Sequence, residues 1–254
     1  MNFTLKILGT ASAMPISDRN PSAQMLQVHG RLFLLDCAEG TQRQMRRARL
    51  SFVRVEAIFI SHIHGDHIFG LFGLLNSMAM YGRSADLYIY GPSAVGSIVK
   101  FYESFFGAGD NFNIIFKAVS CKEPQEVHVS KRVTVSAFPL NHKIECYGYR
   151  FDGEGKSYAY CSDTAPFPEL PVWLKGVDTL YHEATYQNEM EDKAVHRFHS
   201  TTAQAASCAL SAGVRRLIVG HYSSRILDFD AYLAECKAVF PETIAAHDLD
   251  SIEI

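Results

Sequence analysis

The sequence predicts an α/β (α+β) fold in which helices pack outside two β-sheets. Three observations predict it. Strand-like runs alternate with helical ones along all 254 residues. Helical spacing recurs in both halves of the chain. No repeat of roughly 20–50 residues, low-complexity tract or linker divides it, so a single domain over 1–254 is expected.

Taken in order, 3–8, 24–29 and 31–36 alternate or run apolar like strands, with Gly30 turning the chain between the last two. Residues 41–48 have helical spacing. The short apolar run 57–60 reads as a buried strand, and apolar residues at helical spacing cover 68–81. A strand at 86–90 is closed by Gly91-Pro92, and a helix is expected over 93–106. Strands dominate 113–138. The runs 147–151 and 157–161 form a hairpin around Gly153 and Gly155. Strands at 177–181, 215–219 and 251–254 and helices at 201–211 and 228–239 complete the chain.

Composition narrows the class. The chain is 48% hydrophobic and 20% charged with net charge −3, so it lacks the overall basicity of a nucleic-acid binder, and any RNA contact must be a local patch. No apolar run approaches the roughly 18–20 residues of a spanning helix, so no membrane partner is expected. The start alternates like a strand and lacks the basic region of a signal peptide, so a cytoplasmic protein is expected. The six cysteines form no C-x-x-C and read as buried free thiols.

The chemistry concentrates in Ser61-His62-Ile63-His64-Gly65-Asp66-His67, directly after the buried strand. In extended chain, His62 and His64 project to one side and can share a metal. Gly65 permits a tight turn into the next helix, which aims Asp66 and His67 at a second metal nearby. Imidazole and carboxylate suit Zn²⁺. Four ligands are too few for two metals. Three later segments offer more at strand ends: Asn141-His142, Ser162-Asp163-Thr164 and Gly220-His221-Tyr222. Alone, a histidine such as His142 reads equally well as a structural residue.

The pattern H-x-H-x-D-H followed by separate His, Asp and His resembles the metallo-β-lactamase superfamily. Finer motifs are similar to the ribonuclease Z family: Leu8-Gly9-Thr10-Ala11-Ser12-Ala13, Asp36-Cys37-Ala38-Glu39-Gly40-Thr41-Gln42, Tyr147-Gly148-Tyr149-Arg150, His182-Glu183-Ala184-Thr185 and His199-Ser200-Thr201. The resemblance implies a four-layer αβ/βα metallo-β-lactamase sandwich and a homodimer. It implies His62, His64 and His142 on one zinc, Asp66, His67 and His221 on the other, and Asp163 between them. Mn²⁺ or Fe²⁺ are the alternatives to two Zn²⁺ per chain. A hydroxide held between the metals would attack a phosphodiester: the 3′ trailer of a transfer-RNA precursor, related RNA or a small diester. Asp66 would help orient or deprotonate it. His199 would be the general acid, oriented by Glu183; on capping grounds alone it reads as a helix-entry residue.

Two features depart from the family. Its long arm between the Gly-Tyr-Arg strand and the Asp-Thr aspartate is missing, replaced by the turn-like 152–157, and Ile226 follows Arg225 where an aromatic is usual. The basic run Arg43, Arg46, Arg47, Arg49 and Arg54 is a candidate RNA track, and equally a solvated helix face. Two further readings use the same scaffold: a hydrolase of a lactone, lactam or thioester, and a non-catalytic binding paralogue. The motifs at 182–185 and 199–201 favour the phosphodiester, and the complete ligand set disfavours a dead site.

Overall fold

In the strands that become the middle of this molecule, consecutive side chains alternate between two different cores. Phe33 and Leu35 enter one apolar cluster while Leu32 and Leu34 enter another, and Phe59 and Ile58 divide the same way. Both faces are therefore covered, which is why 57–60 reads as an unbroken apolar run.

The computed structural model describes residues 3–14, 16–107, 112–130 and 132–254. Positions 1, 2 and 15 of the expected first strand and its flank, and 131 within 113–138, lie outside the described residues. The strands are β1 Phe3–Gly9, β2 Ala23–Val28, β3 Arg31–Leu35, β4 Val55–Phe59, β5 Leu87–Gly91, β6 Ile114–Ala118, β7 Gln125–Ser130, β8 Val133–Pro139, β9 Tyr147–Gly153, β10 Lys156–Cys161, β11 Thr179–Glu183, β12 Arg216–Gly220, β13 Thr243–Ala245 and β14 Ser251–Glu253. The helices are α1 Thr41–Arg47, α2 Gly65–Ile68, α3 Leu71–Met80, α4 Ser93–Phe106, α5 Leu170–Trp173, α6 Glu191–Arg197, α7 Thr202–Ala212 and α8 Phe229–Val239.

The strands form two seven-stranded sheets, ordered β14-β1-β2-β3-β4-β5-β6 and β13-β12-β11-β10-β9-β8-β7. Between them lies a core of Leu5, Ile7, Phe33 and Phe59 against Val135, Phe151, Tyr158 and Ile218. Outside the first sheet, Met45, Leu74, Met78 and Val99 from the helices cover Leu34, Ile58 and Ile89. Outside the second, Ala205, Ala209, Tyr232 and Cys236 cover Ala159, Leu180 and Leu217. The result is the expected four-layer αβ/βα sandwich, with Ile226, the departure from the family pattern, buried in the outer core.

Local signals explain the element ends. The β9–β10 hairpin turns through Glu154 and Gly155 alone, both at positive φ, as a two-residue hairpin turn demands. Helix α7 starts at a capping box in which Thr201 and Gln204 satisfy each other's backbone N–H groups. The expected helix over 68–81 divides instead into α2 and α3. Gly70 is the reason: its N–H donates to the Cys37 carbonyl at 2.9 Å, and a Cβ there would stand 1.9 Å from the Ala38 carbonyl oxygen. Sequence spacing shows apolar period but not this close approach. Strand β13 and helices α5 and α6 were not expected; they are short or carry little apolar period. All six cysteines are free, and no described helix is long and apolar enough to cross a membrane.

Gly70→Ala should therefore cost about 1–3 kcal/mol through overpacking of this junction, read as a lower denaturant midpoint. An unchanged midpoint would show that the α2–α3 break tolerates a side chain.

Candidate metal centre

Parallel pairing levels the strand ends. Cys161 pairs with His182, and Glu183 with Gly220, so Asp163, Glu183, Thr185 and His221 emerge from neighbouring strands at one edge. In the first sheet Leu35 pairs with Phe59, which sets Asp36 beside Ser61-His62. The 64–67 turn is pinned to the edge of the first sheet, its Asp66 and His67 carbonyls accepting from the Ser22 and Cys37 N–H groups at 3.1 and 2.8 Å. His142 comes from the loop between β8 and β9.

The seven expected ligands converge. The ligand atoms of His62, His64, His142 and Asp163 lie within 4.8 Å of one another, and so do those of Asp66, His67 and His221. His62 Nε2 faces His64 Nδ1 at 3.0 Å, and His142 Nε2 faces the same atom at 3.3 Å. His221 Nε2 is 3.4 Å from Asp66 Oδ2 and 3.3 Å from Asp163 Oδ1.

In four rings the remote nitrogen is already engaged. Nδ1 of His62 lies 2.9 Å from Ser61 Oγ, that of His67 2.7 Å from Asp36 Oδ2, that of His142 3.1 Å from the Phe198 carbonyl, and that of His221 2.8 Å from Thr185 Oγ1. If each Nδ1 carries the proton, every Nε2 keeps its lone pair for a cation, the usual means of fixing a ligand's tautomer.

Of the five buried side-chain atoms without a hydrogen-bond partner among the described residues, two belong to this nest, His67 Nε2 and Asp163 Oδ1, and they face each other at 3.4 Å. A buried acceptor left unpaired is costly; a shared divalent cation satisfies both. The electrostatics agree. Burial lowers the His62 and His142 imidazoles, which keeps them neutral and able to ligate. Burial would raise the Asp66 carboxyl, but His67 and His221 outweigh it and hold it well below the carboxylate range. Burial likewise opposes charge on His67, yet Asp163, Asp66 and Asp36 favour a positive charge there, a demand that a divalent cation meets as well as a proton does. The residues fit such an ion.

His199 and Glu183 lie side by side. His199 Nδ1 lies 3.0 Å from Glu183 Oε1, with Nε2 4.0 Å from Asp163 Oδ2. Burial pulls the His199 imidazole down, but the Glu183 and Asp163 carboxylates outweigh it and hold it at about 9. Glu183 is fully buried and accepts from the N–H groups of Thr164, Thr185 and Ser200. His199 also lies within reach of Asp163 and His221 as a third candidate ligand group. His182 is buried, with Nδ1 2.6 Å from the Glu183 carbonyl oxygen.

Sequence spacing assigns no role to Asp36, Ser61, Thr185 or Phe198, which engage the Nδ1 atoms of the candidate ligands. Asp36, Phe198 and His221 all adopt positive φ without being glycine, a strain that collects at functional sites. The signal for Asp36 was a carboxylate closing an apolar strand, which requires partners.

The nest opens into a cleft of about 630 Å³ lined also by Lys143, Tyr186, Lys193, Arg197 and Arg225. None of Arg43, Arg46, Arg47, Arg49 or Arg54 lines it.

Two stacked αβ layers with a histidine–aspartate nest at their shared edge define a metal-dependent hydrolase scaffold, and comparison agrees. The family model described as Beta-lactamase superfamily domain matches residues 31–222. Ribonuclease Z of Bacteroides thetaiotaomicron is 35% identical, covering 97% of this chain and 93% of that one. Ribonuclease BN of Erwinia tasmaniensis is 36% identical over 96% and 97%. Among solved structures, the short form of human tRNase Z superposes with a TM-score of 0.87 and 27% identity, covering 99% of both chains. The chain belongs to the ribonuclease Z family of the β-lactamase superfamily. The Bacteroides alignment runs over 295 positions against 254 residues here, so that relative carries segments with no counterpart in this chain.

Asp36→Asn should weaken divalent-metal affinity by roughly 10–100-fold, the usual cost of losing a ligand's orienting partner. Competition with a chromophoric chelator measures this; wild-type affinity would remove Asp36 from the metal site.

Proposed function

We propose that this chain is a single-domain, metal-dependent endoribonuclease that cleaves transfer-RNA precursors at a phosphodiester, with two zinc ions per chain. The observation that carries the reading is the His199–Glu183 pair beside the ligand nest. An alkoxide leaving phosphorus must be protonated, which this pair can do, and the likeness to ribonuclease Z and ribonuclease BN selects the phosphodiester among the bonds whose cleavage needs such an acid.

Held by His62, His64 and His142 on one side and Asp66, His67 and His221 on the other, with Asp163 serving both, divalent cations would supply Lewis acidity toward a phosphoryl oxygen and lower the pKa of water. The chain's own groups do the rest. Asp66 lines the cleft and, kept ionised by His67 and His221, can orient the attacking water. Glu183 keeps the His199 imidazolium charged near neutral pH, and His199 Nε2 offers its proton to the departing oxygen. Because Glu183 raises the His199 imidazolium above its ordinary range, the acid-dependent step should persist at neutral pH and slow as alkaline pH removes that proton.

The family likeness also supports a homodimer and a cytoplasmic setting. Phe101, Phe105 and Phe106 leave an uncovered apolar face on α4, of the kind that a second copy buries.

Purified protein should contain close to two zinc ions per chain by elemental analysis; one or none contradicts the reading. His199→Ala should keep that metal content. It should lower cleavage of a trailer-bearing transfer RNA by about 10²–10⁴-fold while affecting bis(p-nitrophenyl) phosphate, whose leaving group needs no proton, far less. Equal losses on both substrates would remove His199 as the proton donor.

A further inference from the structure

We propose that the cleft-facing side of α6, carrying Lys193 and Arg197, grips RNA phosphates flanking the scissile bond, with Lys143 and Arg225 on facing loops. This rests on the phosphodiesterase reading above and assigns its substrate grip.

Lys193 and Arg197 stand one helical turn apart, share a helix face and both line the cleft. Among the described residues, the only carboxylates lining that cleft, Asp66 and Asp163, belong to the proposed ligand nest. Among the described residues, arginine ion pairs are made elsewhere, by Arg31, Arg132, Arg150 and Arg215. Lys193 Nζ lies 5.7 Å from the centre of the Tyr186 ring rather than beside an acid.

Charge then chooses between substrates. A small diester brings one negative charge, which the cations of the nest take up. Lys143, Lys193, Arg197 and Arg225 leave the same cleft an unbalanced positive wall, and a chain of phosphates is the ligand that matches it. The chain as a whole is net negative, −3, so this wall is a local concentration of charge and not a sample of a basic surface.

Helix α6 is also wired to the chemistry. It ends at Phe198, in the left-handed conformation, whose carbonyl engages His142 Nδ1 at 3.1 Å. The next residue is His199. A phosphate held on α6 therefore loads the segment that sets both a proposed ligand and the proposed proton donor. Lys193 and Arg197 are positioning residues in this scheme.

The test compares the zinc-loaded wild type with K193Q/R197Q and with R43Q/R46Q, a pair equal in charge on α1 outside the cleft. Substrates are a trailer-bearing transfer-RNA precursor and bis(p-nitrophenyl) phosphate. For K193Q/R197Q, kcat/KM on the RNA should fall about 10–100-fold, at least about tenfold more than on the diester. The slope of log kcat/KM against log salt should flatten by about 1.4, the release expected for two phosphate contacts on single-stranded RNA. K193R and R43Q/R46Q should both keep the wild-type slope. Equal losses on the two substrates, or an unchanged slope in K193Q/R197Q, overturns the grip. So does a wild type that hydrolyses the diester but not the RNA. A metal-loaded wild type that hydrolyses neither sinks the phosphodiesterase reading and the grip together.

Discussion

One buried carboxylate, Asp36, ties the sandwich to its site. It is wholly inaccessible and accepts from the Ser61 N–H at 2.7 Å, from the Ser61 hydroxyl at 2.9 Å and from the Tyr160 hydroxyl at 2.7 Å, with His67 Nδ1 another 2.7 Å away. Ser61 follows β4 of the first sheet, and Tyr160 belongs to β10 of the second. The same oxygen atoms thus lock the two sheets together and aim a proposed metal ligand. A carboxylate buried this deeply is tolerable only when its lone pairs are filled, and here filling them fixes the geometry of the nest.

Beyond Asp36 the design repeats. Ser61 stands behind His62, Thr185 behind His221, the Phe198 carbonyl behind His142, and Glu183 behind His199. Ser61, Thr185 and Glu183 come from strand ends and Phe198 from the C-terminal cap of α6, so the sheets set most of the site and α6 completes it. The parallel run β10-β11-β12 matters most, because it delivers Asp163, Glu183 and His221 at one level. Asp36, Asp66, Asp163 and Glu183 gather in a small volume, and their charge is what makes the nest a seat for cations.

Much of this was legible in the sequence, for physical reasons. His62 to His67 are close in the chain, so ligand spacing is itself structural information. Strands buried on both faces leave unbroken apolar runs, and the Gly155 turn announces the β9–β10 hairpin. The convergence of His142, Asp163 and His221 was not legible from spacing; it depends on strand order, and family likeness supplied it. The split between α2 and α3 escaped because a glycine pressed against the Ala38 carbonyl leaves no periodic trace. The arginines at 43–49 stood out as a run, yet the cations that face the cleft come from three separate segments, around Lys143, on α6 and at Arg225, and form no run at all. Charge clustering in sequence and in space parted company there.

Anomalous diffraction from crystals of the zinc-loaded protein, collected at the zinc edge, tests the centre of this picture most directly. Two peaks are expected, one enclosed by His62, His64 and His142 and the other by Asp66, His67 and His221, with Asp163 reaching both. A single peak held by Asp163, His199 and His221 would contradict it, because His199 would then be a ligand and not the proton donor.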